Sequence, residues 1–161
     1  SSQIMVKLIR CRQRCSRAVL MFQKELARRL AAQPGSKDYG RLSALLRYSG
    51  EVRSITTVAA SAFFPRPKID SEVLAIDFEV PQSRQVADET FLFDVIKAAF
   101  GRRRKTLKNS LVGSELKIPK PVAEQALGKA GIDPRRRAET LAVDEFVALS
   151  NVLAPMMSKR P

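Results

Sequence analysis

At 161 residues with 45% hydrophobic content, the chain is long enough to bury a core, as one domain or two small ones. Its 29 Lys and Arg against 16 Asp and Glu leave a formal charge of +13, a balance that selects a polyanionic partner. The absence of histidine excludes a His-based triad and a zinc site. Cys11 and Cys15, four residues apart on a predicted helix, do not suit a disulfide. No apolar run approaches the ~18 residues of a membrane span, and with no recognisable signal segment a reducing cytoplasm is the expected compartment.

In chain order, Ile4, Met5, Leu8 and Ile9 recur at helical spacing and predict a helix from Ser1 to about Arg12, its serines able to cap the start. Ala18 to Phe22 is a short apolar strand. It runs into a helix over Gln23 to Ala32, with Leu26 and Leu30 on one face and Pro34-Gly35 as its stop. Tyr39 to Tyr48 predicts another helix, with Leu42, Leu45 and Leu46 as its apolar stripe. Two strands follow: one in the β-branched run S-I-T-T-V-A-A, the other in E-V-L-A-I-D-F-E-V, whose Val73, Leu74, Ala75, Ile76 and Phe78 suit a largely buried strand. Between them lies A-F-F-P-R-P-K-I-D-S, residues 62 to 71. Two prolines fix φ and push the preceding residues to extended geometry, so this segment is a stiff loop.

From about Pro81 the pattern becomes helical only. Phe91, Leu92, Val95, Ile96, Ala99 and Phe100 form an amphipathic helix led by Asp88 and Glu89. In G-R-R-R-K-T-L-K-N-S-L, Leu107 and Leu111 share a face, so a short helix docks by its leucines and displays its charges. Pro121 to Ala130 and Val143 to Leu153 predict two more helices, and G-I-D-P-R-R-R-A-E-T between them places three arginines at a turn. The expected organisation is an α/β part over residues 1–80 and a helical part over 81–161.

Charge is not spread evenly. Residues 1–30 sum to +7, 31–96 to −2, 97–137 to +9 and 138–161 to −1. Two basic blocks flank a nearly neutral middle, which points to RNA or DNA rather than to charge for solubility alone. The loop carries Phe63 and Phe64 beside Arg66 and Lys68: flat π-faces next to phosphate-attracting cations, the parts that hold an extruded base. On the loop alone the favoured reading is the structural one, in which the two rings plug the end of a core while the prolines stiffen a turn. Asp70 likewise has two roles open to it, a turn cap or a chemical group.

Five stretches then combine: M-F-Q-K-E-L-A-R-R-L (21–30), P-G-S-K-D-Y-G-R-L-S (34–43), A-F-F-P-R-P-K-I-D-S (62–71), K-A-A-F-G-R-R-R-K-T-L-K-N-S-L (97–111) and R-R-A-E-T-L-A-V-D-E-F (136–146). In this order and near this spacing they resemble the ribosomal RNA adenine dimethyltransferases of the KsgA type, from the first residues to about Leu153. The resemblance implies a class I methyltransferase that uses S-adenosylmethionine to dimethylate the N6 amines of two adjacent adenosines in small-subunit ribosomal RNA, with that RNA and the pre-ribosomal particle as partners and no metal. The family's glycine-rich cofactor loop, acidic ribose-binding residue and Asn-Leu-Pro-Tyr type motif precede the matched region. The chain is therefore expected to be the C-terminal portion, inactive alone and without its own cofactor site.

The same resemblance implies a remnant of the class I (Rossmann-like) sheet: the three strands 5-7-6 of the order 3-2-1-4-5-7-6, the last two antiparallel, followed by a small all-helical domain. It aligns Phe63 with the aromatic that stacks on the target adenine, with Phe64 and Pro65 shaping the pocket wall. Arg66 and Lys68 would meet the backbone of the flipped nucleotide, and Arg102, Arg103, Arg104, Lys105, Lys108, Arg135, Arg136 and Arg137 flanking phosphates. The strand at Ala18 to Phe22 would lack a neighbour, and self-association through that apolar edge is expected. The competing reading is a non-catalytic RNA-binding or ribosome-assembly module that uses the same basic face.

Overall fold

The computed structural model describes residues 2–79, 85–102 and 104–158. Contacts divide the chain into two compact units, residues 1–33 with 38–82, and 34–37 with 83–161. The expected boundary between residues 80 and 81 lies outside the described residues.

The first unit holds helix α1 (Ser2–Arg10), strand β1 (Arg17–Gln23), helices α2 (Lys24–Leu30) and α3 (Arg41–Ser49), and strands β2 (Glu51–Val58) and β3 (Ser71–Asp77). The sheet order is β1-β3-β2, with β3 antiparallel to both neighbours. This is the 5-7-6 arrangement expected from the sequence. Register places Leu20 opposite Leu74, and both Ala18 and Val52 opposite Ile76. A bulge at Ile55 shifts β2 between Ser54 and Thr56, leaving Ile55 out of the ladder and exposed.

α2 lies against β1 and β3, α3 against β2, and α1 against α3. Leu74 and Ile76 are fully buried together with Met5, Ile9, Leu30, Leu45 and Leu46, each such side chain contributing about 1.5–3 kcal/mol of transfer free energy. The strand read as largely buried is buried on one face only: Val73 and Ala75 remain half-exposed. Their neighbours across the ladder, Met21 and Val19, are 49% and 58% exposed. Side chains alternate across a strand, and α2 and α3 cover just the face that carries Leu74 and Ile76.

Local chemistry sets the boundaries. α1 stops at Arg10 rather than Arg12, and a 3-10 turn over Arg12–Arg14 leads into β1. Ile4, read as part of its apolar stripe, points outward while Met5 and Ile9 are buried. α3 begins at Arg41, two residues later than predicted, because Gly40 is extended and its N–H donates to Ser43 Oγ at 3.0 Å. Gly50, which ends α3, passes so close to β3 that a Cβ there would lie 2.3 Å from the Asp77 carbonyl oxygen, so only glycine fits.

The second unit packs α4 (Glu89–Phe100), α5 (Leu107–Val112), α6 (Lys120–Lys129) and α7 (Val143–Ser158). Its core joins Leu92, Val95, Ile96, Leu107, Leu111, Leu127, Leu141, Phe146, Leu149 and Leu153; the Phe100 and Phe146 ring centroids are 5.9 Å apart. Asp88 caps α4 by accepting from Phe91 N–H at 3.0 Å. α7 runs past the predicted end at Leu153 and takes Pro155 within its last turns. Residues 34–37 belong to this unit, with Gly35, at φ +85°, donating its N–H to the Glu139 carbonyl at 2.7 Å. No described helix is long and apolar enough to cross a membrane.

Candidate nucleic-acid interface

The aromatic loop closes a β-hairpin. β2 and β3 end their pairing at Val58 and Ser71, and a 3-10 turn over Ala60–Ala62 starts the connection. Asp70 closes its base: its Oδ1 accepts the Ala60 N–H at 2.9 Å, while its carbonyl accepts the Lys24 N–H at 3.0 Å. One residue thus ties the loop to itself and to the start of α2. The side-chain bond spans the loop instead of capping the turn into β3, the structural role expected from the sequence.

On this brace Phe63 is half-buried, extended and hydrogen-bonded through its N–H to the Ala60 carbonyl. Phe64 is fully exposed, and the bond from Phe64 to Pro65 is cis. Phe63 is thus partly sheltered and Phe64 open to solvent, both at the tip of one braced loop. Arg66 and Lys68 are exposed. Among the described residues neither has a hydrogen-bond or ion-pair partner.

An open pocket beside the loop base adds Lys24 and Arg28 to Lys68, together with Glu25, Asp70 and Glu72. Sequence reasoning passed over Lys24 and Arg28, which stand some forty residues before Lys68 and reach it only because α2 follows β1 without a linker.

In the second unit, two clusters that are far apart in sequence become neighbours. Leu107 N–H donates to the Arg136 carbonyl at 2.7 Å and Lys108 N–H to the Pro134 carbonyl at 3.4 Å, so the first turn of α5 is stitched to the triple-arginine turn. Arg102 lies with its guanidinium over Gly113, where a Cβ would fall 2.6 Å from Arg102 Cζ. Arg104 and Lys105 are exposed and unpartnered among the described residues. Arg103 lies outside the described residues.

The remaining cations are partly engaged. Lys108 Nζ pairs with Glu124 at 3.0 Å, a hydrogen bond that lowers the Glu124 carboxyl. Arg135 pairs with Asp133 at 3.2 Å, and Arg137 lies 3.9 Å from Glu139. Arg136 behaves differently from its two neighbours. It chelates both oxygens of Glu145 and donates to the Thr140 hydroxyl and carbonyl. Burial works to raise the Glu145 carboxyl, but the hydrogen bonds from Arg136 and Ala142 N–H, with the Arg136 charge, bring it below its ordinary value.

Among the described residues, no strand-to-helix turn carries a glycine. β1 passes directly into α2 at Gln23-Lys24, and the connection from β3 to α4 contains none. The residues present therefore do not fit the glycine-rich cradle that holds the adenosyl cofactor of such sheets.

A β1-β3-β2 sheet with helices packed on it, followed by a small helical unit, has the fold of the C-terminal part of a class I methyltransferase. The chain belongs to the family described as Ribosomal RNA adenine dimethylase, whose model matches residues 1–155. It is 49% identical over 156 residues to the ribosomal RNA small subunit methyltransferase A of Desulforapulum autotrophicum, covering 97% of this chain and 55% of that protein. It is 46% identical to the protein of the same description from Syntrophotalea carbinolica, covering 96% and 58%. The crystal structure of a dimethyladenosine transferase from Plasmodium falciparum aligns with TM-score 0.78 and 26% identity, over 92% of this chain and 61% of that one. The 23S rRNA methyltransferase ErmE shares the fold, with TM-score 0.56 at 22% identity over 86% of this chain and 55% of that one. The chain spans about half the length of the relatives it matches.

Proposed function

We propose that this chain is the substrate-holding half of an enzyme that dimethylates the N6 amines of two adjacent adenosines in small-subunit ribosomal RNA, within a pre-ribosomal particle in the cytoplasm. The braced aromatic loop carries the reading. An exocyclic adenine amine is a poor nucleophile because its lone pair is delocalised into the ring, so rate must come largely from holding it in line with a methyl donor. A base stacked on Phe63, with Phe64 and Pro65 as pocket wall, gains about 1–3 kcal/mol, and Asp70 supplies the rigidity that stacking requires. Arg66 and Lys68 hold the phosphates beside the flipped nucleotide. Arg102, Arg103, Arg104, Lys105, Lys108, Arg135 and Arg137 take flanking phosphates, while Arg136 positions the turn through Glu145.

S-adenosylmethionine is held by residues outside this chain. Alone, the chain binds RNA without transferring a methyl group, which makes it an RNA-binding module in isolation; the glycine-free strand-to-helix turns favour this reading of the piece by itself. The exposed β1 edge with Val19 and Met21 supports self-association of the isolated chain, a result that light scattering would register as a dimer.

The test uses a fluorescein-labelled RNA hairpin with two adjacent loop adenosines. The chain should bind it with steep salt dependence, and Phe63→Ala should weaken binding ~5- to 150-fold at unchanged salt slope, as expected for stacking. Equal affinity of the Phe63→Ala variant refutes the stacking role. Micromolar binding of S-adenosylmethionine by calorimetry refutes the placement of the cofactor site outside the chain.

A further inference from the structure

Apart from Lys24 and Arg28, the basic N-terminal block is not absorbed by the loop or by the second unit. Among residues 2–50 the acidic side chains are Glu25 and Asp38, and both are engaged, Glu25 by Arg29 and Asp38 by Arg28. Between α1 and α3 runs an open groove lined by Gln3, Val6, Lys7, Arg10, Arg41 and Leu42. Half of that lining is cationic, and all three cations are exposed. Among the described residues none of the three has a hydrogen-bond or ion-pair partner.

Neighbouring arginines show what a structural role looks like here. Arg12 donates to the Ile9 carbonyl and lies over the Tyr48 ring, and Arg47 donates to the Ala31 and Ala32 carbonyls. Lys7, Arg10 and Arg41 do none of this. Lys7 and Arg10 stand in the last turn of α1, where the helix dipole favours cations, but Arg41 is the first residue of α3, where the same dipole disfavours one. No acid in the first turn of α3 offsets it. A cation placed against its helix dipole, without a partner and facing two others, is accounted for by an anion in the groove. The apolar flanks of Val6 and Leu42 suit a sugar-phosphate chain, whose sugars are less polar than its phosphates.

We propose that the α1–α3 groove is a second phosphodiester-binding surface, which takes the backbone of an RNA segment away from the target nucleotide. This rests on the reading that the chain binds RNA, and it extends the footprint to a face of the first unit that the aromatic loop does not use.

The test follows the same labelled hairpin, carrying a long stem, by fluorescence anisotropy across a salt series. Each neutralised phosphate contact removes ~0.9 from the slope of log K against log salt. The triple variant Lys7→Gln, Arg10→Gln, Arg41→Gln should lower the slope by about 2–3 and weaken low-salt binding roughly 10- to 100-fold. Arg41→Lys, which keeps the charge, should retain the full slope. An unchanged slope in a triple variant with native circular dichroism overturns the proposal. If the triple variant does not fold, Arg10→Gln and Arg41→Gln singly should each lower the slope by about 0.9, and unchanged slopes in both overturn it equally. Loss of slope on neutralising Arg104 and Lys105 but not the groove leaves the proposed function standing and removes the groove alone. A wild-type chain that does not bind the hairpin removes both. Vesicles of phosphatidylcholine and phosphatidylserine at 3:1 form the last arm: groove-dependent vesicle binding with groove-independent RNA binding overturns the proposal in favour of a membrane surface.

Discussion

Replacing Asp70 by alanine separates a brace from a chemical group. The carboxylate accepts the Ala60 N–H at 2.9 Å across the mouth of the aromatic loop, and a hydrogen bond to a charged acceptor contributes about 1.5–3 kcal/mol. Asp70 is half-exposed, so solvent competes for the freed N–H, and a loss of ~1–2 kcal/mol is expected. For a unit of this size ~1 kcal/mol corresponds to a fall in melting temperature of about 4–8 °C. The Asp70 carbonyl still accepts from Lys24 N–H, so the strands stay paired and the damage is confined to the loop. There Phe63 loses its fixed approach, and ordering it again on binding should weaken RNA affinity by roughly fivefold for each ~1 kcal/mol spent. The salt slope should not change, because no cation is removed. Asp70→Asn keeps an acceptor oxygen and should recover about half of the lost stability. The assay pairs thermal melts followed by circular dichroism with anisotropy of the labelled hairpin. A variant that melts and binds as wild type, yet abolishes methylation when placed in a full-length relative, would sink the brace and assign Asp70 to the chemistry.

Three further outcomes follow from individual contacts. Gly50→Ala forces a Cβ to 2.3 Å from the Asp77 carbonyl and should cost ~1–3 kcal/mol in urea denaturation, whereas Gly128→Ala, with open space around it, should be neutral or slightly stabilising. Glu145 has its carboxyl held below the ordinary value near 4.5, so the unfolded chain takes up the proton first: the stabilisation is complete above about pH 4.5 and is lost as pH falls through the lower folded value. Glu145→Gln should flatten that acid limb and cost ~1–2 kcal/mol at pH 7, a figure discounted because both partners of the pair remain about a third exposed. Neutralising Arg104 and Lys105 together should lower the RNA salt slope by about 1.8 with no change in melting, since neither has a partner to lose among the described residues.

The elements were legible because each rests on a short-range pattern. Leu45 and Leu46 on α3, Leu92, Val95 and Ile96 on α4, and the β-branched run of β2 announce their period within a dozen residues. Their ends were less so. Gly40 and Ser43 set the start of α3 through one hydrogen bond, and Gly50 is explained by a backbone some twenty-seven residues later. One-sided burial of β3 was also beyond a local reading: Val73 and Leu74 are alike in composition, and only α2 and α3 lying on one face distinguishes them.

The site divides along the same line. Aromatics, prolines and cations in the loop could be read as parts, but their arrangement depends on Asp70 reaching back to Ala60 and on Lys24 arriving from another element. The triple-arginine turn makes the distinction sharpest. Arg135, Arg136 and Arg137 are identical in type and adjacent in sequence, so no pattern separates them. In the fold Arg135 projects toward solvent and pairs with Asp133, Arg137 is held loosely by Glu139, and Arg136 is drawn inward by Glu145 and Thr140. That inward residue is what fixes the turn against α5, through its carbonyl and Leu107 N–H. Removing Arg136 should therefore disturb both basic clusters at once, lowering stability and RNA affinity together, whereas removing Arg135 should lower the salt slope and leave stability nearly intact.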